Sequence, residues 1–159
     1  MFQYLLVIAT VGSGLVAGLF FIFSNCVMFA LNEQPPKQAV LVMQSINEII
    51  LNRYFFVLFM GMPILCIAIF WVGSISNNLL PYGYSMMAAI IYIIGSFGIT
   101  MRKNVPMNNQ LKTIDVDDLS SLLYWQTYFV TWNRWNHIRF LSSLVASLLF
   151  AINLLSLQG

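Results

Sequence analysis

Few side chains in this sequence are able to do chemistry, and most of them fall in one stretch. Residues 125–139 read WQTYFVTWNRWNHIR and hold three of the four tryptophans, the single histidine His137, two arginines and two asparagines. An imidazole exchanges a proton near neutral pH, a guanidinium holds an anion, and side-chain amides donate to one. Two other segments carry amides of the same kind, MQSIN (43–47) and NVPMNN (104–109). Gln44, Asn47, Asn104, Asn108 and Asn136, with His137, Arg139 and the ring of Trp132, are the candidate set. Its chemistry would be proton transfer beside a held anion and a stacked ring. The opposing reading is that the same groups only lace helices together, with the tryptophans forming an interfacial aromatic belt.

These groups must be placed by helices. Trp125, Phe129, Trp132, Asn136 and Arg139 recur on one helical face, and Gln126, Val130, Asn133 and His137 form a second stripe roughly 100° away. The stretch then runs without a break into the apolar segment 140–157. Tryptophans and polar tips entering an apolar run describe a helix passing from water into lipid.

Composition points to the same solvent. The chain has 159 residues, 60% of them hydrophobic and only 8% charged, which suits a bilayer and no water-soluble domain of this size. Four spans are expected, at approximately 2–31, 54–75, 82–101 and 138–157, in a single transmembrane domain covering 1–159. The fold class is all-α: an integral membrane four-helix bundle with a long polar-aromatic extension before the fourth span. Residues 1–31 lack a basic leader and a small-residue cleavage site, so this segment is expected to stay as a membrane helix. Its small face, with Gly14 and Gly18 in a GxxxG pattern, is expected to admit a neighbouring backbone. Residues 37–53 form a further helix that either lies on the membrane surface or extends the second span. Pro63 should kink that span. Pro106 should hold Val105 extended, making 104–109 a re-entrant or lid-like strap. Asp115 or Asp117 is the expected N-cap of the last helix. Cys26 and Cys66 lie in apolar runs and read as small buried hydrophobes, a disulfide being the lesser alternative.

All seven Lys and Arg residues and all five acids fall in or beside the first and third connections. With four spans those connections share one side. The positive-inside rule makes it cytoplasmic, with both termini outside. The bilayer is the expected surrounding, nucleic acid is excluded as a partner, and a homo-oligomer is left open. No metal site is expected, because the Cys and His spacing needed for one is missing.

GLVAGLFFIFSN in the first helix, MQSIN with Asn52 downstream, NVPMNNQL, and the closing motif of Trp125, Tyr128, Trp132, Asn133, Trp135, Asn136, His137 and Arg139 together resemble the anthrone oxygenase-like family of small integral membrane proteins. The likeness runs along nearly the whole chain. It implies oxidation of an anthrone, or another electron-rich aromatic or quinol, to a quinone. No cofactor is expected, since the anion of such a substrate can reduce dioxygen directly. On that reading His137 is the base and Arg139 holds the enolate. Gln44, Asn47, Asn108 and Asn136 donate hydrogen bonds, Asn104 belongs to the binding set, and Trp132 stacks on the ring. The assignment requires His137 to face the same pocket as Asn47 and Asn108. The alternative class is a non-enzymatic helix-bundle protein serving assembly, lipid binding or ligand binding. A pocket enclosed by the three motifs favours the enzyme, and amides that satisfy one another without a void favour lacing.

Overall fold

The computed structural model describes residues 2–76 and 80–157. Its five helices are α1 (Phe2–Asn32), α2 (Pro36–Ile49), α3 (Arg53–Ser74), α4 (Gly83–Lys112) and α5 (Leu119–Ser156). All but α2 contain spans long and apolar enough to cross a membrane, which makes this a multi-pass membrane protein. Asn77, Asn78 and Leu79, in the polar link between the second and third spans, lie outside the described residues.

Each long helix packs against two others: α1 on α5 and α3, and α4 on α5 and α3. The seam on α5 can be read residue by residue. Trp125, Tyr128, Trp132, Asn136, Arg139, Ser143, Ala146, Phe150 and Asn153 are all buried, at steps of three or four. This continues the first stripe read from sequence. Gln126, Val130 and His137 of the second stripe are exposed. On the outside, large apolar side chains such as Ile8, Val57, Ile64 and Leu155 face outward, as helices in lipid require.

Two tryptophans correct the expectation of an interfacial belt. Trp125 and Trp132 are buried, and with Tyr128 they form a ladder of stacked rings at centroid spacings of 5.7 and 6.2 Å. The connections meet at this end of the bundle. Lys37 pairs with Asp117, and Lys112 with Glu48 at 3.1 Å, so the first and third connections lie together. Exposed pairs of this kind add little stability, but they record the clustering of charge at one end.

α2 is a separate helix rather than an extension of α3. Pro36 occupies its first turn, where a missing N–H costs nothing. Asn52 then caps α3, its Oδ1 accepting from the backbone N–H groups of Tyr54 and Phe55 at 3.0 and 3.1 Å. Asp115 accepts from the Asp117 N–H in an Asx turn, and α5 begins only at Leu119, so neither aspartate is its N-cap. Pro63 is buried inside α3 without ending it.

The expected strap at 104–109 is helical instead. α4 widens into π turns at Tyr92–Gly98 and Thr100–Asn104, then continues as regular helix through Pro106 to Lys112. The Val105 N–H bonds the carbonyl of Thr100, five residues back. The wide turn just before the proline loosens the backbone where its ring would otherwise crowd a regular helix.

Gly14 and Gly18 do not mark the tightest approach either. A Cβ on Gly18 would meet nothing within 4 Å, and one on Gly14 would only touch Ser147 Oγ at 3.4 Å. The tight glycines are Gly95, whose Cβ would fall 2.6 Å from Ser142 Cβ, Gly12, against the Met62 thioether, and Gly73, against Met86 and Tyr82. Both cysteines are free, and Cys26 is exposed while Cys66 is buried.

Candidate functional site

At the charged end the core divides. One apolar cluster, including Phe20, Phe59, Tyr92 and Phe150, fills the middle of the bundle. Another, including Met28, Met43, Leu111 and the Trp125–Tyr128–Trp132 ladder, fills the end. A polar layer separates them, and a cavity of about 310 Å³ opens from it. That volume falls at the lower end of the roughly 300–1,000 Å³ of small-molecule sites.

Phe20 and Phe23 of α1, Met43 of α2 and Phe55, Phe59 and Met60 of α3 supply much of its apolar wall. Polar groups come from three helices. Gln44 and Asn47 stand on α2, Thr100, Asn104 and Asn108 on α4, and Arg139 on α5 beside Trp132. The three sequence motifs therefore reach one enclosure. Exposed Leu51, Phe56, Met101 and Asn109 also line it, with the Glu48–Lys112 pair, so the mouth has both an apolar and a charged edge.

Arg139 is the centre of the polar layer. It is only 5% exposed, deep in an apolar bundle, and it takes part in neither ion pair among the described residues. Its Nη1 donates to Thr100 Oγ1 at 3.3 Å and its Nη2 to Asn136 Oδ1 at 2.5 Å. The Phe20 and Trp132 rings flank the guanidinium, with centroids 4.2 and 5.1 Å from Cζ. Its Nε donor has no partner. Asn136 does not line the cavity. It sits behind Arg139 and ties it to α1, donating from Nδ2 to the Phe20 carbonyl at 2.7 Å and to Ser24 Oγ at 2.6 Å. A π turn at Phe23–Val27 lies at this point of α1, where Ser24 is buried against Asn136.

The amides differ in how far they are committed. Asn108 Oδ1 accepts both from Tyr128 Oη at 2.9 Å and from Trp132 Nε1 at 2.8 Å, which fixes the wall of the cavity. Gln44 Nε2 donates to the carbonyls of Leu111 and Ile114, closing the end of α4. Asn104 Nδ2 donates weakly to the Trp132 carbonyl at 3.3 Å, while its Oδ1 is buried without a partner. Asn47 Nδ2 is likewise unpartnered. Buried polar atoms left open in this way are uncommon in folded proteins. Three of them, on Arg139, Asn47 and Asn104, belong to residues lining the same void.

His137 departs from the expected arrangement. It is exposed, does not line the cavity, and bonds through Nδ1 to the Asn133 carbonyl of its own helix at 2.7 Å. A single residue step from Asn136 turns a helical side chain by about 100°, which carries His137 off the buried seam. The structure therefore does not bring His137 to one pocket with Asn47 and Asn108, as the base assignment required. Sequence reading also passed over Phe20 and Thr100, the ring and hydroxyl against Arg139. No local signal separates Phe20 from its lipid-facing neighbour Phe21. Among the described residues, no three His, Cys, Asp or Glu side chains gather as metal ligands.

Fold and site together define an integral membrane helix bundle that encloses an apolar cavity around one buried cation. The profile of the anthrone oxygenase family matches residues 54–149, and the chain belongs to that family. The matched segment carries Asn104, Asn108, Trp132, Asn136 and Arg139, whereas Gln44 and Asn47 precede it. Neither a curated relative nor a solved structure matches the chain.

Proposed function

We propose that this chain is a cofactor-independent membrane oxygenase, oxidising an anthrone-like or similarly electron-rich aromatic substrate in the cavity around Arg139. The observation that carries the reading is the enclosure itself. An apolar cavity is bordered by a guanidinium between two rings, with unpartnered polar atoms on the residues lining it. Family membership supplies the reaction type.

In the reaction, a ring methylene loses a proton, and the electron pair delocalises onto the ring carbonyl as an enolate. The enolate reduces dioxygen. The methylene carbon loses two hydrogens and gains one oxygen atom as a carbonyl, and the second oxygen leaves as water. Arg139 holds the enolate oxygen, with Asn47 a second donor. Asn108 and Trp132 keep the ring plane, and Asn136 and Thr100 position the guanidinium. The charged end, with the cavity mouth, faces the cytoplasm, and both termini face outward.

The test is oxygen uptake by the purified full-length chain supplied with 1,8-dihydroxyanthrone in detergent. One dioxygen should be consumed per anthrone, faster than the autoxidation seen in empty micelles. Arg139→Met should fall back to the micelle rate. Uptake by the wild type no faster than in empty micelles would overturn the reading.

A further inference from the structure

With His137 outside the cavity, the substrate must lose its proton without an imidazole beside it. The groups around Arg139 leave few other bases. From α1 the cavity receives Leu19, Phe20 and Phe23, and from α3 it receives Phe55, Phe56, Phe59 and Met60, none of them titratable. From α2 comes Glu48 and from α4 comes Lys112, but these are exposed at the mouth and paired with each other. On α5, the Tyr128 hydroxyl is committed to Asn108.

The guanidinium is therefore the unbalanced group. A cation in a bilayer-spanning bundle is expensive to desolvate unless it is paired. Here its hydrogen-bond partners are a hydroxyl and an amide, both neutral, and two aromatic rings flank it. A ligand that brings a negative charge to Arg139 recovers the attraction that the protein leaves unused. The same attraction favours the ionised form of any weakly acidic ligand over its neutral form.

We infer that the cavity takes its aromatic ligand as an oxyanion, and that the charge of Arg139 drives the ionisation in place of a protein base. The O–H or C–H bond of the ligand breaks, its electron pair stays on the ligand as a phenolate or enolate, and the proton passes to water at the mouth beside Glu48 and Lys112. Arg139 Nε and Asn47 Nδ2, buried without a hydrogen-bond partner on residues that line the cavity, are the donors assigned to the oxyanion. The ligand class is a planar polycyclic phenol or ketone with one acidic proton. An uncharged polycycle would fill the same space without the charge pairing.

This rests on reading the cavity as the substrate site, and it is tested without turnover. 2-Hydroxyanthraquinone has no oxidisable methylene, and its absorption moves to longer wavelength on ionisation. Bound to the full-length chain in micelles, it should ionise with a constant at least about tenfold larger than in empty micelles, as an opposite charge at close range produces. Its affinity should rise with pH across its own ionisation, while that of unsubstituted 9,10-anthraquinone stays level. Arg139→Met should remove the shift, Arg139→Lys should keep part of it, and Asn47→Leu should reduce it. The same ionisation in protein and empty micelles, or an undiminished shift in Arg139→Met, would overturn the inference. If Arg139→Met does not fold, the wild-type comparison with empty micelles and the response of Asn47→Leu decide it. Anion binding without oxygen uptake would remove the oxygenase reading and leave this one standing. Uptake without anion preference would do the reverse.

Discussion

The Trp132 indole N–H points at Asn108 Oδ1 from 2.8 Å, and this contact between α5 and α4 sets one wall of the cavity. The same oxygen receives the Tyr128 hydroxyl at 2.9 Å, so one side-chain acceptor serves two buried donors.

Asn108→Leu should therefore be costly. It strands two buried donors, each worth about 1–3 kcal/mol when left unsatisfied. The melting temperature in detergent should fall clearly, and Asn108→Asp, which keeps the acceptor, should recover most of it. Equal melting of wild type and Asn108→Leu would show that the contact does not hold the wall.

Gly95→Ala should destabilise the bundle by about 1–3 kcal/mol, the usual range for overpacking. The new Cβ would meet Ser142 Cβ at 2.6 Å, and that atom cannot swing aside as a flexible chain end would. Ser142→Gly should restore stability in the double variant. Gly18→Leu, facing open space, should melt with the wild type. A stable Gly95→Ala beside an unstable Gly18→Leu would invert the packing described for these helices.

His137→Gln and His137→Ala should both keep oxygen uptake at the wild-type level. The ring makes one hydrogen bond, to a carbonyl of its own helix, and stands outside the cavity. Any change in melting should stay within about 0.5 kcal/mol, as for most surface substitutions. Loss of turnover in a folded His137→Gln would reinstate the imidazole as the base.

Sidedness can be read by labelling in intact cells, in a background where exposed Cys26 and buried Cys66 are replaced. A cysteine at Thr113, in the exposed turn after α4, should resist an impermeant reagent applied from outside. One at Asn77, in the second connection, should react. The reverse pattern would place the charged end outside and overturn the charge argument.

The four spans, a polar helix before the second of them, the clustering of charge and the two stripes on α5 all follow from the sequence alone. Each rests on a property that a single helix carries by itself: its length in apolar residues, its breaks at proline and polar runs, and its period of 3.6. The convergence of MQSIN, NVPMNN and the closing motif was legible too, because their polar side chains stand at one end of the spans. Tertiary structure decided which of those side chains face inward. The helical period set His137 on a different stripe from Asn136 and Arg139, yet only the phase of α5 against α1 and α4 buries Asn136 and Arg139 and exposes His137. The ring beneath the guanidinium was hidden for a related reason. A helix in lipid is apolar all round, so Phe20 and Phe21 read alike until a neighbouring helix covers one of them. The fate of 104–109 likewise turned on the π turn before Pro106 rather than on the proline itself. Hydrophobicity fixes how deep a residue sits in a membrane, and only packing between helices fixes which way it points.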